Sequence, residues 1–176
     1  MADCVGALKG WAGKERATVV YDSTVDEFTG GVFYDNVTDR ENIAVVGVTT
    51  DGDVVGMFYS RAVDKQEDFF DRGIFAFSFE SHGRCMTPQR FVLKEGWKKG
   101  TFVNLYKNNN SGFINFLNIY GPSFWLGNEK SNSYCWTLSR AYEGLEDTTL
   151  TGSNGGDYDE GGHYHHYTRL IAVQFE

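Results

Sequence analysis

The sequence is short of proline, cysteine, positive charge and long apolar runs, and each shortage narrows what the protein can be. Two prolines against 21 glycines in 176 residues argue for many tight turns and against a disordered chain. The three cysteines, Cys4, Cys85 and Cys135, are odd in number and far apart, with no Cys-x-x-Cys spacing. A thiolate zinc site is therefore not expected, and scattered thiols fit a reducing, cytoplasmic compartment. No stretch approaches the roughly 20 apolar residues that span a bilayer. The opening MADCVGALKGWAG lacks the basic start and apolar core of a signal peptide, so no membrane insertion is expected. Net charge is −8, which speaks against wrapping nucleic acid, since that needs a basic patch. Arg84, Arg90, Lys94, Lys98 and Lys99 are the candidates for a local patch, with solvated strand faces and turns as the plainer account of them. There is no G-x-S-x-G, no phosphate loop and no dinucleotide fingerprint.

What the chain has instead is aromatic and β-branched residues. Phe, Tyr and Trp make up 16% of it, and such residues favour strands. Two apolar runs in Ile43 to Tyr59, IAVVGVTTDGDVVGMFY, flank Asp51-Gly52, the strongest short hairpin signal. With those two residues as the turn, Thr50 pairs with Asp53, Gly47 faces Gly56 and Val45 faces Phe58. Ala44, Val46, Val48, Val55, Met57 and Tyr59 then share one face, and Val45, Gly47, Val54, Gly56 and Phe58 the other. Both faces are apolar, so the hairpin is expected in mid-sheet with cover on both sides. The opposed glycines would leave a flat patch for a bulky side chain from another layer.

The remaining pattern fits around that hairpin. Val5, Leu8 and Trp11 stand three apart ahead of Gly13, which predicts a short helix with a glycine C-cap. Ala17 to Tyr21 reads as a strand. Phe28 to Val37 reads as a helix with Thr29 as N-cap and Val32, Phe33 and Val37 inward. Phe75, Phe77 and Phe79 alternate along one strand face, as Phe91 and Leu93 do along the next. Thr101 to Tyr106, Gly112 to Tyr120 and Tyr134 to Leu138 are further strands. Residues 139–166 show no periodicity. Tyr167 to Phe175 closes the chain as a strand, with Tyr167, Arg169, Ile171, Val173 and Phe175 in phase. The expected fold is mainly β: two antiparallel sheets packed as a sandwich with short flanking helices. Residues 1–16 form a helical lead-in and 17–176 a single domain.

Few residues suggest chemistry. Asp157, Asp159, Glu160, His163, His165 and His166 combine imidazole with carboxylate, a donor set that suits zinc or another transition metal. The plainer expectation is a glycine-rich surface loop whose polar groups meet only water. The carboxylate spacing does not match an EF-hand loop, although Asp157, Asp159 and Glu160 could serve a looser calcium site. Ser81, Cys85 and Cys135 are the candidate nucleophiles. Arg84 stands beside Cys85, and a nearby cation can lower a thiol pKa. A metal- or thiol-dependent enzyme built on 139–166 and a calcium-responsive binding module are thus the alternatives to a non-catalytic domain. Trp97, Trp125 and Trp136 are candidate anchors for a partner, since Trp is enriched at binding hot spots.

Several segments together resemble one family. The opening LKGWAGKERATVVYDSTVDEFTGGVFYDNV, the hairpin NIAVVGVTTDGDVVGMFYSRAV with Gly56-Met57-Phe58, the strand FDRGIFAFSFES, then SNSYCWTLSRAYEG and the closing TRLIAVQFE resemble a TLDc domain of the divergent protist type. The resemblance runs over roughly residues 8–176 and rests on strand and turn patterns. It implies a two-sheet sandwich with short helices, a role in resistance to oxidative stress, and binding to subunits of the vacuolar proton-pumping ATPase. It implies no catalytic residue and no cofactor. The initiating Met1 and the early match imply a nearly bare domain.

Overall fold

A computed structural model describes residues 3–62, 69–71, 73–97, 101–107, 112–118, 123–128, 133–152 and 164–176. Two antiparallel sheets pack over a shared apolar interior, flanked by short helices. The first sheet runs, in spatial order, β1 (Ala17–Asp22), β11 (Tyr167–Phe175), β2 (Ile43–Thr49), β3 (Val54–Tyr59), β5 (Phe75–Glu80) and β6 (Gln89–Val92). The second runs β10 (Tyr134–Trp136), β9 (Ser123–Gly127), β8 (Gly112–Asn118), β7 (Thr101–Leu105) and β4 (Phe69–Phe70). The helices are α1 (Cys4–Ala12), α2 (Gly30–Val37) and α3 (Leu138–Ala141). Side chains from both sheets meet in the interior: Val45, Met57 and Tyr167 from the first, Val103, Phe113, Phe124 and Leu126 from the second.

The central hairpin forms where expected, but its register is one residue away from a two-residue turn. Ile43 pairs with Tyr59, Val45 with Met57, Val46 with Gly56 and Gly47 with Val55. The loop holds three residues, Thr50, Asp51 and Gly52. The Gly52 N–H donates to the Thr49 carbonyl oxygen (3.0 Å) and the Thr49 N–H to the Asp53 carbonyl oxygen (2.9 Å). Gly52 has φ +90°, the left-handed residue that closes a three-residue hairpin loop. A one-residue slip turns one strand over relative to the other. Ile43, Val45, Val55, Met57 and Tyr59 therefore face the interior together, while Ala44, Val46, Val54 and Phe58 face outward.

The slip also separates the two glycines, which lie on opposite faces instead of facing each other. A Cβ on Gly47 would overlap the Tyr167 ring, and one on Gly56 would overlap the Phe77 ring and the Val45 carbonyl oxygen. Each glycine accommodates an aromatic from the adjoining strand of the same sheet, not from another layer. Tyr167 reaches the interior because the pairing of β11 with β2 shifts between Tyr167 and Arg169. That bulge takes Tyr167 out of phase with Arg169, Ile171, Val173 and Phe175, contrary to simple alternation.

The outward face of the first sheet is covered by α1. Asp3 caps this helix by accepting from the Gly6 N–H (2.8 Å), and Gly13 closes it at φ +66°. Its inward stripe is the buried Leu8 with the half-buried Cys4, Ala7, Trp11 and Ala12, the i, i+3, i+4 pattern of one helix face; Val5 is exposed. Trp11 stacks on Phe79 (centroids 5.8 Å apart, planes 5°) and meets Phe75 edge-on (6.2 Å). The Phe75–Phe77–Phe79 face is thus a second core. On the opposite side of β5, Ala76 and Ser78 are fully buried, so both faces of this strand are covered. In α2 the Thr29 side chain accepts from the Val32 N–H and Phe33, Tyr34 and Val37 are buried.

Part of the stretch without periodicity has a defined place, as does one aspartate between β3 and β5. Residues 139–152 contain the end of α3, a bridge from Tyr142 to Leu93, and the buried Leu145 and Leu150. Asp71, 1% exposed, accepts from Ser60 Oγ (2.7 Å), Ser60 N–H (2.5 Å), Arg61 N–H (3.2 Å) and Gly73 N–H (2.7 Å). It clamps the end of β3 to the start of β5.

Gly47→Ala is expected to lower unfolding free energy by about 1–3 kcal/mol in urea denaturation, because the ring beneath it cannot retreat from the core. Gly10→Ala serves as the opposite control. A Cβ there meets nothing within 4 Å, so relief of helix entropy should raise stability by roughly 0.5–1 kcal/mol.

Candidate functional site

The polar groups gather at the turn end of the central hairpin. Asp53 follows Gly52 directly, and the bulged turn folds its carboxylate inward, where it is 1% exposed. A buried carboxylate needs partners, and Asp53 has them from its own hairpin and from the loop after β5. Its Oδ1 accepts from Arg84 Nη2 and lies 2.7 Å from His82 Nδ1; its Oδ2 is 3.4 Å from Thr49 Oγ1. Its own N–H donates to Thr49 Oγ1 (3.0 Å).

His82 and Arg84 come from a tight loop after β5. Glu80 Oε1 accepts from the N–H groups of Ser81 (2.9 Å) and His82 (2.7 Å), and Ser81 Oγ accepts from the Cys85 N–H (3.2 Å). His82 takes φ +50° and Gly83 φ +78°; a left-handed histidine is uncommon and costs energy that its surroundings must offset. Here it aims the imidazole at Asp53. Arg84 continues past Asp53 and donates from Nε to the Thr149 carbonyl oxygen (3.3 Å) and from Nη2 to that of Leu150 (3.1 Å). One carboxylate therefore ties together the hairpin turn, the 81–85 loop and the 149–150 segment.

Behind this lock lies a row of buried polar side chains. His165, 5% exposed, forms a backbone bridge with Ser133 and sets Nε2 2.9 Å from the Tyr167 hydroxyl. Burial pulls its imidazole pKa down to about 4, against a partial upward pull from Asp53, so it is neutral at pH 7. Burial likewise pushes the Tyr167 hydroxyl and the Cys135 thiol far up. Thr151 Oγ1 points at Cys135 Sγ (3.9 Å). A neutral thiol in this setting is a poor nucleophile.

The candidates read from the sequence separate as follows. Asp157, Asp159, Glu160 and His163 lie outside the described residues, and with them most of the metal and calcium readings. His165 is not a solvated loop residue; it packs edge-on to Tyr167 at 4.9 Å. Ser81 is fully buried and 3.2 Å from the half-buried Cys85 thiol. Arg84, the cation expected beside that thiol, directs its guanidinium to Asp53 instead. Among the described residues, Arg84, Arg90 and Lys94 each turn to a different partner. Arg90 donates to the Trp11 carbonyl oxygen and lies over the Phe75 ring, and Lys94 donates to that of Ser139. Lys98 and Lys99 lie outside the described residues.

No family model matches this chain, and no curated protein matches it. The site must be read on its own terms, and two of its members were invisible in sequence. Asp53 reads only as the strand residue paired with Thr50 beside the turn, and Ser81-His82-Gly83 only as the close of the Phe75–Phe79 strand. Only the 29- and 31-residue separations closed by the fold bring them to each other and to Arg84.

Among the Trp candidates, Trp97 is half-buried against the core, and of Trp136 only the backbone position is described. Trp125 is half-buried in β9, with the Tyr106 ring 4.9 Å away. Its neighbours in sequence, Phe124 and Leu126, point into the interior. By alternation Trp125 lies on the opposite face of the second sheet.

Asp53→Ala is expected to cost about 3–5 kcal/mol in chemical denaturation, because it strands a partly buried guanidinium. Acid acts on two groups in separate windows. His165 has a folded pKa below its ordinary 6.5, so its neutral form stabilises the fold above that pH. This contribution, on the order of 3 kcal/mol, is lost as pH falls from about 6.5 toward 4; His165→Gln should flatten that slope in urea titrations. Asp22 accepts from Arg169 and Thr24, which hold its carboxyl down at about 2. Its share, about 1 kcal/mol given the exposed arginine, is lost only below the ordinary carboxylate value of 3.8.

Proposed function

We propose that this chain is a non-catalytic, TLDc-like protein-interaction domain that works through its outer surface. The observation that carries the reading is the Trp125–Tyr106 pair on the face of the second sheet turned away from the sandwich interior. Backbone pairing sets Asn104 opposite Asn115, Asn115 opposite Trp125 and Trp125 opposite Tyr134. A large amphipathic ring in such a row is the kind of residue that anchors a partner. The two-sheet body with α1 laid across one outer face agrees with the architecture that the family resemblance implies. On that resemblance, the partner class is the subunits of a vacuolar proton-pumping ATPase, and the cellular role is resistance to oxidative stress.

The neutral Cys135 thiol and the neutral His165 lend no support to the thiol-enzyme alternative. The carboxylates of the calcium alternative lie outside the described residues.

The test is direct binding of the purified chain to purified vacuolar ATPase peripheral subunits. Wild type is expected to bind with a measurable Kd. Trp125→Ala should weaken it by 2 kcal/mol or more, roughly 30-fold, as loss of a central anchor does. Absence of binding by the wild type sinks the partner assignment; equal binding by Trp125→Ala sinks the surface.

A further inference from the structure

The Asp53 lock leaves two groups unspent. A guanidinium carries five N–H groups. Arg84 uses Nε on Thr149 and Nη2 on Asp53 and Leu150. Its Nη1 has no acceptor among the described residues, and the side chain is 28% exposed. His82 uses Nδ1 on Asp53 and is 52% exposed. Its Nε2, across the ring, has no partner among the described residues. A glycine flanks each group. A Cβ on Gly152 would stand 3.4 Å from Arg84 Nη1, and one on Gly52 3.8 Å from His82 Cε1. Both glycines have positive φ, +72° and +90°, so neither position 52 nor position 152 sets a side chain in the approach.

We propose that Arg84 Nη1 and His82 Nε2 form a surface site for a phosphate group, as inorganic phosphate or a small phosphate monoester. This goes beyond the interaction reading and does not rest on it. The donors left open favour a tetrahedral anion over a carboxylate. A planar carboxylate binds arginine through a fork of two parallel N–H groups, and both forks of a guanidinium include Nη2, which is already committed. What remains is one nitrogen of Arg84 and one of His82, and a tetrahedral anion presents oxygens in several directions at once. The imidazole suits phosphate in either charge state. The Asp53 carboxylate keeps the proton on Nδ1, so the neutral ring accepts the P–O–H hydrogen at Nε2, and the imidazolium donates to a P–O⁻ oxygen. Asp53 cancels one positive charge. Asp51 is exposed in the adjoining turn and Glu80 stands beside the loop, although the Ser81 and His82 N–H groups occupy one of its oxygens. Affinity is accordingly modest, with Kd on the order of 1 mM.

The experiment is a titration of the 15N-labelled protein with sodium phosphate at fixed pH, with sodium chloride holding ionic strength constant. Saturable shifts are expected at the amides of Gly52, His82, Gly83 and Gly152 and at the Arg84 Nε–H. Acetate under the same conditions should bind about 10-fold more weakly or not at all, since no fork is open to it. His82→Asn, a residue that tolerates positive φ, should weaken phosphate by about 10-fold while leaving distant signals in place. No saturation by about 10 mM phosphate, in a range where a 1 mM site would be nearly full, overturns the proposal. So do shifts centred elsewhere, acetate binding as tight as phosphate, or undiminished binding by a folded His82→Asn. If that variant does not fold, the wild-type shift map and the acetate comparison decide.

Discussion

The structure depends on how the central strands give way to their neighbours' rings. Gly47 yields to Tyr167 toward the interior and Gly56 yields to Phe77 toward α1. These two contacts pin four consecutive strands, β11, β2, β3 and β5, to one another. Sliding either pair by a residue would set a Cβ against a ring or an aromatic over empty space. Register in a sheet buried on both faces is otherwise set only by matching apolar to apolar, which is indifferent to a slip when every position is apolar. Glycine opposite a committed aromatic removes that indifference.

Two cores follow from this arrangement. The interior between the sheets gathers Tyr21, Tyr59, Tyr142 and Tyr167, all nearly or fully buried, which is why burial pushes each of their hydroxyls far above the ordinary range. The outer core beneath α1 is built from Phe58, Phe75, Phe77, Phe79 and Phe175 and contains no charge. The carboxylates that are drawn out of water sit at the ends of strands, where loops supply donors. Asp53, Asp71 and Asp22 each sit at such an end and each holds a neighbouring segment by accepting several hydrogen bonds. These three carboxylates thus act as fasteners for the loops beside them.

Much of this could be read in advance from spacing. The alternation of Phe75, Phe77 and Phe79, the Thr29 cap, the Gly13 cap and the polar break at Asp51-Gly52 each depend on neighbours within a few residues, and each appears in the fold. The failures share a cause as well. The hairpin register, the phase of Tyr167, the third turn residue and the helix stripe that excludes Val5 are settled by what a side chain meets across the molecule. A bulge is invisible in a pattern of period two, because the pattern is what the bulge interrupts.

Sequence alone determined that this chain would be a two-layer β protein with both sides of its middle strands covered, because the run from Ile43 to Val48 has no polar side chain and leaves no face to give to water. It also determined where the chain turns, since glycine and aspartate favour those conformations locally. The tertiary structure decided which residues share a face, and it alone brought Asp53 to His82 and Arg84 across 29 and 31 residues. Local preference extends only a few residues along a chain. A buried charge finds its partner through space.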